Sequence, residues 1–496
     1  MAHSAAWWIA LSGGLHAVAF VAVFLHLLRY RRDPAGVLLW LFVAWSLPFI
    51  GPLLYVAIGV DRLPSHAWKK SRADRRSGGQ GAARPADEGP MIYWRAVHRT
   101  GVQHPTGPAA EGLDRSLDPL APDFPSLGGN AMRLLVSGDE AYPEMLAAIE
   151  RARHHIHLQT FILGADMVGR TFLERILERA QAGVQCRVMY DRFGSTPAVW
   201  SGFFRRYRRR SANLKLVGWT QANPLRRHVQ INLRNHRKIL VVDGEEAFFG
   251  GVNIATVNVS TPGAPAIRDY HFHVRGPLVH ELQYTFLRDW HFMAREAPER
   301  LLCPEHFPEV MPIGKAEGRV LNGGPAGEYE NLLDLYVNAV NSARDRLYAV
   351  TPYFVPPSEL LRALRSAALR GVDVRLVVPW RNNHFYAGLA GRAFYEDLLD
   401  AGARIFERLP PFIHAKAMVV DDWAAIVGTA NLDARSLRLN YETNAVVYDE
   451  PFVAEMTRAI QTEAAHAIEL DPFRWRNRSP AQRLAENFCA LLSPVL

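Results

Sequence analysis

Two short stretches of this chain repeat one arrangement of imidazole and ammonium groups. The first is His236-x-Lys238-x4-Asp243, followed by Gly250, Gly251 and Asn253. The second is His414-x-Lys416-x4-Asp421, followed by Gly428, Thr429 and Asn431, at identical spacing. Strand side chains alternate between faces, so a His and a Lys two residues apart project from the same face. That pair suits substitution at a phosphodiester. A neutral imidazole attacks phosphorus, and a protonated one hands its proton to the departing alkoxide. Two facing imidazoles therefore split one difficult displacement into two easier ones through a covalent intermediate. Lys238 and Lys416 would meet the charge on the equatorial oxygens, with Asn253 and Asn431 as neutral donors. Such a site calls for no metal and no cofactor. Asp243 and Asp421 complete each motif and are counted with the catalytic set. They follow the apolar runs Ile239–Val242 and Ala417–Val420, where turns belong, so turn capping and contact with substrate are both open.

The elements that position these groups repeat as well. His155–Thr160 reads as a strand, Arg170–Ala182 as a helix ended by Gly183, and Val184–Tyr190 as a strand. Later, Arg346–Val350 reads as a strand, Ser358–Arg370 as a helix ended by Gly371, and Val372–Val378 as a strand. Strand–helix–strand with glycine at the helix C-cap implies parallel pairing in an α/β layer. The expectation is an α/β protein with two tandem, related domains, at residues 131–310 and 311–496.

Upstream, the character changes. Residues 5–28 and 35–60 carry no Asp, Glu, Lys or Arg, and each exceeds the roughly 20 residues needed to cross a bilayer. Trp7 and Trp8 stand where interface anchors often do. No basic stretch precedes the first run and no small-residue cleavage site follows it, which argues against a cleaved signal. Residues 1–62 are thus expected to form a transmembrane hairpin. One span plus a re-entrant segment is the alternative that Pro48 and Pro52 keep open. Basic residues lie both between the runs (Arg29, Arg31, Arg32) and after the second (Arg62, Lys69, Lys70, Arg72, Arg75, Arg76). For two spans the positive-inside rule then gives a divided answer, leaning towards a cytoplasmic body. Residues 63–130 read as linker: 71–90 are rich in Gly, Arg and Pro, and 91–130 in turn-formers.

The chain has 496 residues, 49% apolar and 21% charged, with a formal net charge of +8. That composition excludes disorder and predicts several folded units, and the positive balance suits an anionic partner. Three scattered cysteines exclude a disulfide framework and a cysteine-based zinc site. Arg205, Arg206, Arg208, Arg209, Arg210, Arg226, Arg227 and Arg234 lead into the first motif, either as a solvated face or to recruit anionic headgroups. His154-His155-x-His157 has poor spacing for a shared metal on a strand.

The tandem motif resembles the phospholipase D superfamily, and the surrounding phrases are similar to the bacterial cardiolipin synthase family. Those phrases are RNHRKILVVDG…FFGGVNIA, IRDYHFHVRGP, TPYFVPP, IHAKAMVVDD…IVGTANLDARSLRLNYETN and LAENFCALLSP. The resemblance implies two phospholipase D-like α/β/α domains with pseudo-twofold symmetry and a site at their interface. It implies His236 as nucleophile and His414 as acid/base, a choice that the symmetry of the motifs leaves open. Asp269 and Glu442, by position, are the carboxylates expected beside the histidines, raising their pKa. The implied reaction moves a phosphatidyl group between phosphatidylglycerol molecules at the bacterial inner membrane; other membrane phospholipids are possible acceptors, and no nucleic acid is expected. The alternatives are a membrane-bound phospholipase D that hydrolyses to phosphatidic acid, a nuclease of the superfamily, and a catalytically inactive membrane scaffold. Two departures, His157-Leu158-Gln159-Thr160 and Ala255–Ala266, fall near the expected pocket and bear on donor or acceptor preference.

Overall fold

The computed structural model describes residues 2–30, 34–56, 88–100, 102–219, 222–223, 228–229, 233–325, 328–491 and 493. It divides into two compact units, Met1–His66 and Ala67–Leu496.

In the first unit a helix spans Ala2–Tyr30, and within it Leu11–Arg29 is long and apolar enough to cross a membrane. Among its described residues, the second apolar run forms no matching span. It makes the helices Pro34–Ser46 and Ile50–Leu54, broken at Leu47–Phe49, where Pro48 cannot donate a helical hydrogen bond and Phe49 takes a φ of 62°. After the break the chain turns back. His16 lies against Trp45 and Phe49, with ring centroids 6.3 and 5.9 Å away, whereas Tyr55 returns to His26 at 5.7 Å and to Trp40 at 5.5 Å. Gly51 permits the close approach, because a Cβ there would stand 2.1 Å from the Val43 carbonyl. The two-span expectation is met only in part: among the described residues there is one span-length helix and a folded-back second arm. Its lateral surface remains apolar, with Leu15, Val18, Leu25, Leu38, Phe42 and Leu53 exposed.

The second unit is built on one mixed sheet of fifteen strands. In chain order they are β1 (Leu127–Val136), β2 (His155–Thr160), β3 (Gln185–Asp191), β4 (Leu214–Trp219), β5 (Ile239–Val242), β6 (Glu246–Gly250), β7 (Tyr270–Arg275), β8 (Ala316–Gly323), β9 (Arg346–Val350), β10 (Asp373–Pro379), β11 (Arg404–Arg408), β12 (Ala417–Val420), β13 (Ala424–Gly428), β14 (Glu442–Tyr448) and β15 (Ala467–Glu469). The order across the sheet is β15-β11-β10-β9-β12-β13-β14-β8-β1-β7-β6-β5-β2-β3-β4. From the antiparallel seam β1–β8 outwards, both halves lay down the same sequence of strand types. β2 and β3 pair in parallel, as do β9 and β10, joined by the helices Met167–Gln181 and Ser358–Leu369. Gly183 and Gly371 end those helices with φ of 103° and 92°, a conformation that costs a β-carbon residue more.

Residues 88–117 differ from the linker expectation. They contain the helices Glu88–Thr100 and Pro108–Leu117, whose Tyr93, Val97, Leu113 and Leu117 are fully buried. Tyr93 stacks on Tyr284 at 4.1 Å, and Arg319 reaches back to Asp114 and Asp118 at 3.3 and 2.9 Å. Burying each such apolar side chain contributes about 2 kcal/mol, enough to make this stretch part of the body. Most of the Gly/Arg/Pro-rich tether, with Arg62 to Arg76, lies outside the described residues.

Candidate active site

β5 and β12 run antiparallel to β2 and β9. Their first residues therefore lie beside the carboxyl ends of the parallel strands, where open α/β sheets gather functional groups. His236 and Lys238 just precede β5; His414 and Lys416 just precede β12. Each segment crosses to the opposite half. His236 N–H donates to the Tyr441 carbonyl at 2.9 Å, and His414 N–H donates to the Arg268 carbonyl at 2.6 Å. Tyr441 is followed by Glu442 and Arg268 by Asp269, so each half supplies the carboxylate for the other half's histidine. His236 Nδ1 lies 2.9 Å from Glu442 Oε2, and His414 Nδ1 lies 2.6 Å from Asp269 Oδ2. Both carboxylates are fully buried. With Nδ1–H donated to a carboxylate, the lone pair of each ring sits on Nε2.

This exchange brings the two motifs into one electrostatic environment. Each imidazole feels both Lys238 and Lys416, and Glu442 and Asp269 act on both lysines. Burial, then the opposing carboxylates and ammoniums, sets the protonation states. Lys238 is pushed down to about 7 and Lys416 to about 8, mainly by desolvation. Burial would raise both carboxylates, but His236 and Lys238 hold Glu442 below its ordinary range, and Lys416 and His414 do the same for Asp269. The histidines depart from the expectation of a raised pKa. Burial lowers both, and the Lys416 ammonium, 2.8 Å from the same Nδ1 that faces Asp269, helps to bring His414 to about 4. Both rings are thus neutral in the free site.

A pH dependence follows. Each lysine is protonated below its lowered pKa, so raising the pH through 7–8 removes positive charge from the free site. The expected result is a fall in kcat/KM above about pH 7–8, smaller in kcat because bound phosphate restores the protons. Lys238→Arg, which keeps its charge, should move that limb upward; steady-state profiles of both proteins check it.

The small residues after each motif explain a difference between the halves. A Cβ on Gly251 would stand 2.0 Å from Asp269 Oδ1, so only glycine leaves room for that carboxylate. At the matching position Thr429 instead donates its hydroxyl to Glu442 Oε2 at 2.6 Å, and Asn440 holds Oε1 at 3.1 Å. Asn253 accepts from Ile162 N–H at 3.0 Å, and Asn431 donates to Ser436 at 3.1 Å while its buried Oδ1 has no protein partner among the described residues. The motif alignment does not mark Phe161 and Tyr353, which flank His236 and His414 edge-on at 4.9 and 6.3 Å. They follow β2 and β9 one residue out of step, Phe161 directly after Thr160 and Tyr353 two residues after Thr351, where each threonine bonds the carbonyl two residues on. Asn440 likewise stands outside the motifs, and only the tertiary pairing reveals its role or that of the Thr429 hydroxyl.

Asp243 and Asp421, counted with the catalytic set by motif, sit at turns and hold backbone N–H groups there. Each lies beyond the far end of its strand, with φ of 53° and 50°, about 16 Å of extended chain past the lysine. Asp243 accepts from the N–H groups of Arg153, His154 and His155 at 2.7, 2.8 and 2.9 Å. Asp421 holds Asp345 and Arg346 N–H, both at 2.9 Å. Alanine at either position should cost about 1–3 kcal/mol of stability. Thermal melts should show that loss while kcat stays within a few-fold.

Gln159 lies behind the site and not in it: it donates to Asn235 Oδ1 and Asp289 Oδ2 at 2.7 and 2.8 Å. Arg237 completes that layer, binding Asp289 at 2.8 Å and the Glu442 carbonyl at 3.0 Å. In the other departure, Ser260 is tied to Asp139 at 2.7 Å. His155 and His157 are buried with His306, ring centroids 4.5–4.9 Å apart. Among the described residues, no group of three or more His, Cys, Asp or Glu is placed to hold a metal ion. Arg205, Arg206, Arg208, Arg209 and Arg210 are exposed; Arg226 and Arg227 lie outside the described residues.

The family described as cardiolipin synthase, PLD-like domain, matches residues 145–290 and 336–463, and the phospholipase D-nuclease N-terminal family matches 18–59. The chain is 33% identical to a cardiolipin synthase of Geobacillus kaustophilus over 484 residues, covering 97% of this chain and 92% of that one. It is 33% identical to cardiolipin synthase A of Pseudomonas aeruginosa over 487 residues, covering 97% and 95%. Among solved structures, a phosphatidylserine synthase of Haemophilus influenzae superposes with a TM-score of 0.61 at 16% identity, covering 77% of this chain and all of that one.

Proposed function

The chain belongs to the cardiolipin synthase family of phospholipase D-like proteins, and from that premise we infer how its two halves share one reaction. The activity is phosphatidyl transfer: one phosphatidylglycerol gives its phosphatidyl group to the terminal hydroxyl of another, yielding cardiolipin and glycerol. The two domains, proposed at 131–310 and 311–496, are related by a pseudo-twofold axis, a reading supported by their matching strand order.

The observation that carries the mechanism is the exchange of carboxylates between halves. His236 Nε2 attacks phosphorus of the donor, and the bond to the glycerol oxygen breaks. His414 gives that oxygen its proton. His414 is neutral in the free site, so its protonation accompanies entry of the anionic phosphodiester, whose charge favours the imidazolium. Glycerol leaves. His414, again neutral, takes the proton of the second phosphatidylglycerol hydroxyl as that oxygen attacks phosphorus and the P–N bond breaks. Lys238 and Lys416 hold the equatorial oxygens, and Asn253 and Asn431 line the pocket. Exclusion of bulk water favours transfer over hydrolysis.

Membrane attachment belongs to the same reading. The helix Leu11–Arg29 crosses the bacterial cytoplasmic membrane, and the folded-back arm enters and leaves on the side where that helix ends. Both basic groups, Arg29 to Arg32 and Arg62 to Arg76, then flank the same face in sequence. The divided answer of the positive-inside rule becomes a single cytoplasmic one.

A product assay by mass spectrometry tests the function. Full-length protein in vesicles of defined composition should convert phosphatidylglycerol to cardiolipin plus glycerol. Phosphatidic acid as the main product would establish the hydrolase instead.

A further inference from the structure

The reacting phosphodiester is tied to acyl chains that stay in the hydrocarbon layer. The histidines that meet it are recessed in the body, their side chains 11% and 15% exposed. The mouth of the site must therefore come up against the headgroup layer, and the surface around that mouth decides how.

On the His414 side an aromatic path leads from the ring to the surface. Tyr353 flanks His414 at 6.3 Å, His384 lies 5.9 Å from Tyr353, and Tyr386 lies 5.6 Å from both His384 and Phe385. The loop is pinned there: the Tyr353 hydroxyl donates to Asn383 Oδ1, and Asn382 Nδ2 to the Pro352 carbonyl, both at 2.7 Å. Phe385 opens the helix Phe385–Arg392, which follows β10, and its side chain points out to solvent. Gly391 brings that helix against the strand after Tyr353, because a Cβ would stand 2.7 Å from the Phe354 carbonyl. Beside it, Ala390 and Val355 bury Cys489 of the helix Pro480–Ala490. That second helix is inverted. Its inward face carries Glu486, fully buried and held by Arg478 at 2.8 Å and Gln482 at 2.9 Å. Its outward face carries Leu484 and Phe488, with Leu491 at its end, all 68–74% exposed. Spacings of four and three residues put them on one side. An apolar stripe turned away from the core marks a surface that something covers. The His236 side has a counterpart. Phe193, in the loop after β3, is 59% exposed and lies 3.4 Å under the guanidinium of Arg234, two residues before His236. Arg192 and Arg381, each just past the end of β3 or β10, are exposed too. Apolar rings rimmed by arginines suit the interfacial layer of an anionic bilayer.

We propose that Phe193, Phe385, Leu484, Phe488 and Leu491 form a bilayer-docking face around the mouth, which enters the headgroup layer so that a phospholipid reaches the histidines without leaving the membrane. This face belongs to the catalytic body and is additional to the apolar helix at Leu11–Arg29. The choice of lipid as its occupant, over a second copy of the chain, rests on the phosphatidyl-transfer reading above.

The test is photo-crosslinking in vesicles of phosphatidylglycerol and phosphatidylcholine. Full-length protein carries p-benzoylphenylalanine in place of Phe385, Phe488 or Leu369, and adducts are read by mass spectrometry. Leu369 is the control: it is 60% exposed and ends the helix Ser358–Leu369 at the amino ends of the parallel strands, away from the mouth. The probes at Phe385 and Phe488 should form adducts with acyl chains severalfold more often than the probe at Leu369. Equal labelling at all three, or no lipid adduct at any, overturns the assignment. Adducts to a second copy of the chain, or to residues 1–60 of the same chain, overturn it as well. The second arm is kinetic. Leu484→Ser combined with Phe488→Ser should lower cardiolipin formation from vesicle lipid about 10-fold, and turnover of short-chain phosphatidylglycerol supplied as monomers by no more than about threefold. Phe488→Leu, which keeps an apolar side chain, should retain wild-type rates on both. A parallel fall on the two substrates, or no fall on either, overturns the assignment. Wild type that gains lipid adducts yet forms no cardiolipin would defeat the transfer reading and leave the docking face standing, a distinguishable result.

Discussion

Replacing His236 or His414 by alanine should lower cardiolipin formation by about 10³- to 10⁴-fold while the fold persists. Neither side chain supports the core. Each ring sits at the start of a strand whose following residues, Ile239–Val242 or Ala417–Val420, carry the packing. In the proposed mechanism, loss of His236 removes the atom that bonds phosphorus, and loss of His414 removes the proton donor and acceptor of both steps. The two act as a unit, so the double variant should be little worse than either single one. Steady-state rates of the three variants, with melting temperatures as the control for folding, test this. Multiplicative losses would mean two independent sites.

The second large effect concerns the exchanged carboxylates. Asp269→Asn should behave as a lesion of His414, and Glu442→Gln as a lesion of His236, although each pair spans two domains. An amide cannot fix the same tautomer or stabilise the imidazolium, so kcat should fall by about 10²- to 10⁴-fold. Gly251→Ala reaches the same end by sterics, since its Cβ would lie 2.0 Å from Asp269 Oδ1. The diagnostic is a double-mutant cycle. Asp269→Asn should add almost nothing to His414→Ala, yet cost extra on a background in which only Asp243 is changed. Additive losses for Asp269 and His414 would show that the carboxylate serves some other group.

How much of this is legible in the chain depends on the range of the forces involved. The strand–helix–strand units are readable, because Gly183 and Gly371 punctuate local apolar patterns and those patterns set the parallel pairs. His236, Lys238, His414 and Lys416 are readable because the repeat marks them twice. That Asp269 serves His414 and Glu442 serves His236 follows from a seam between β1 and β8 that no local pattern encodes. The lowered histidine pKa values have the same origin: burial is a property of the assembled site, and it outweighs the neighbouring carboxylates. Asp243 and Asp421 belong to the repeat because both halves need the same turn, so repetition alone does not separate chemistry from architecture. In residues 88–117 the spacings Tyr93/Val97 and Leu113/Leu117 are helical, but flanking Pro and Gly obscure them. The second apolar run has the length of a span, and Pro48 with Gly51 turns it back.

The central claim is that both His/Lys sets act on one phosphorus atom, and a crystal structure with vanadate tests it most directly. The account predicts a single five-coordinate vanadium bonded to Nε2 of one histidine, with the other imidazole at the opposite apical oxygen and Lys238 and Lys416 on equatorial oxygens. Vanadate bound by one motif alone, or two ions each held by its own half, would contradict it.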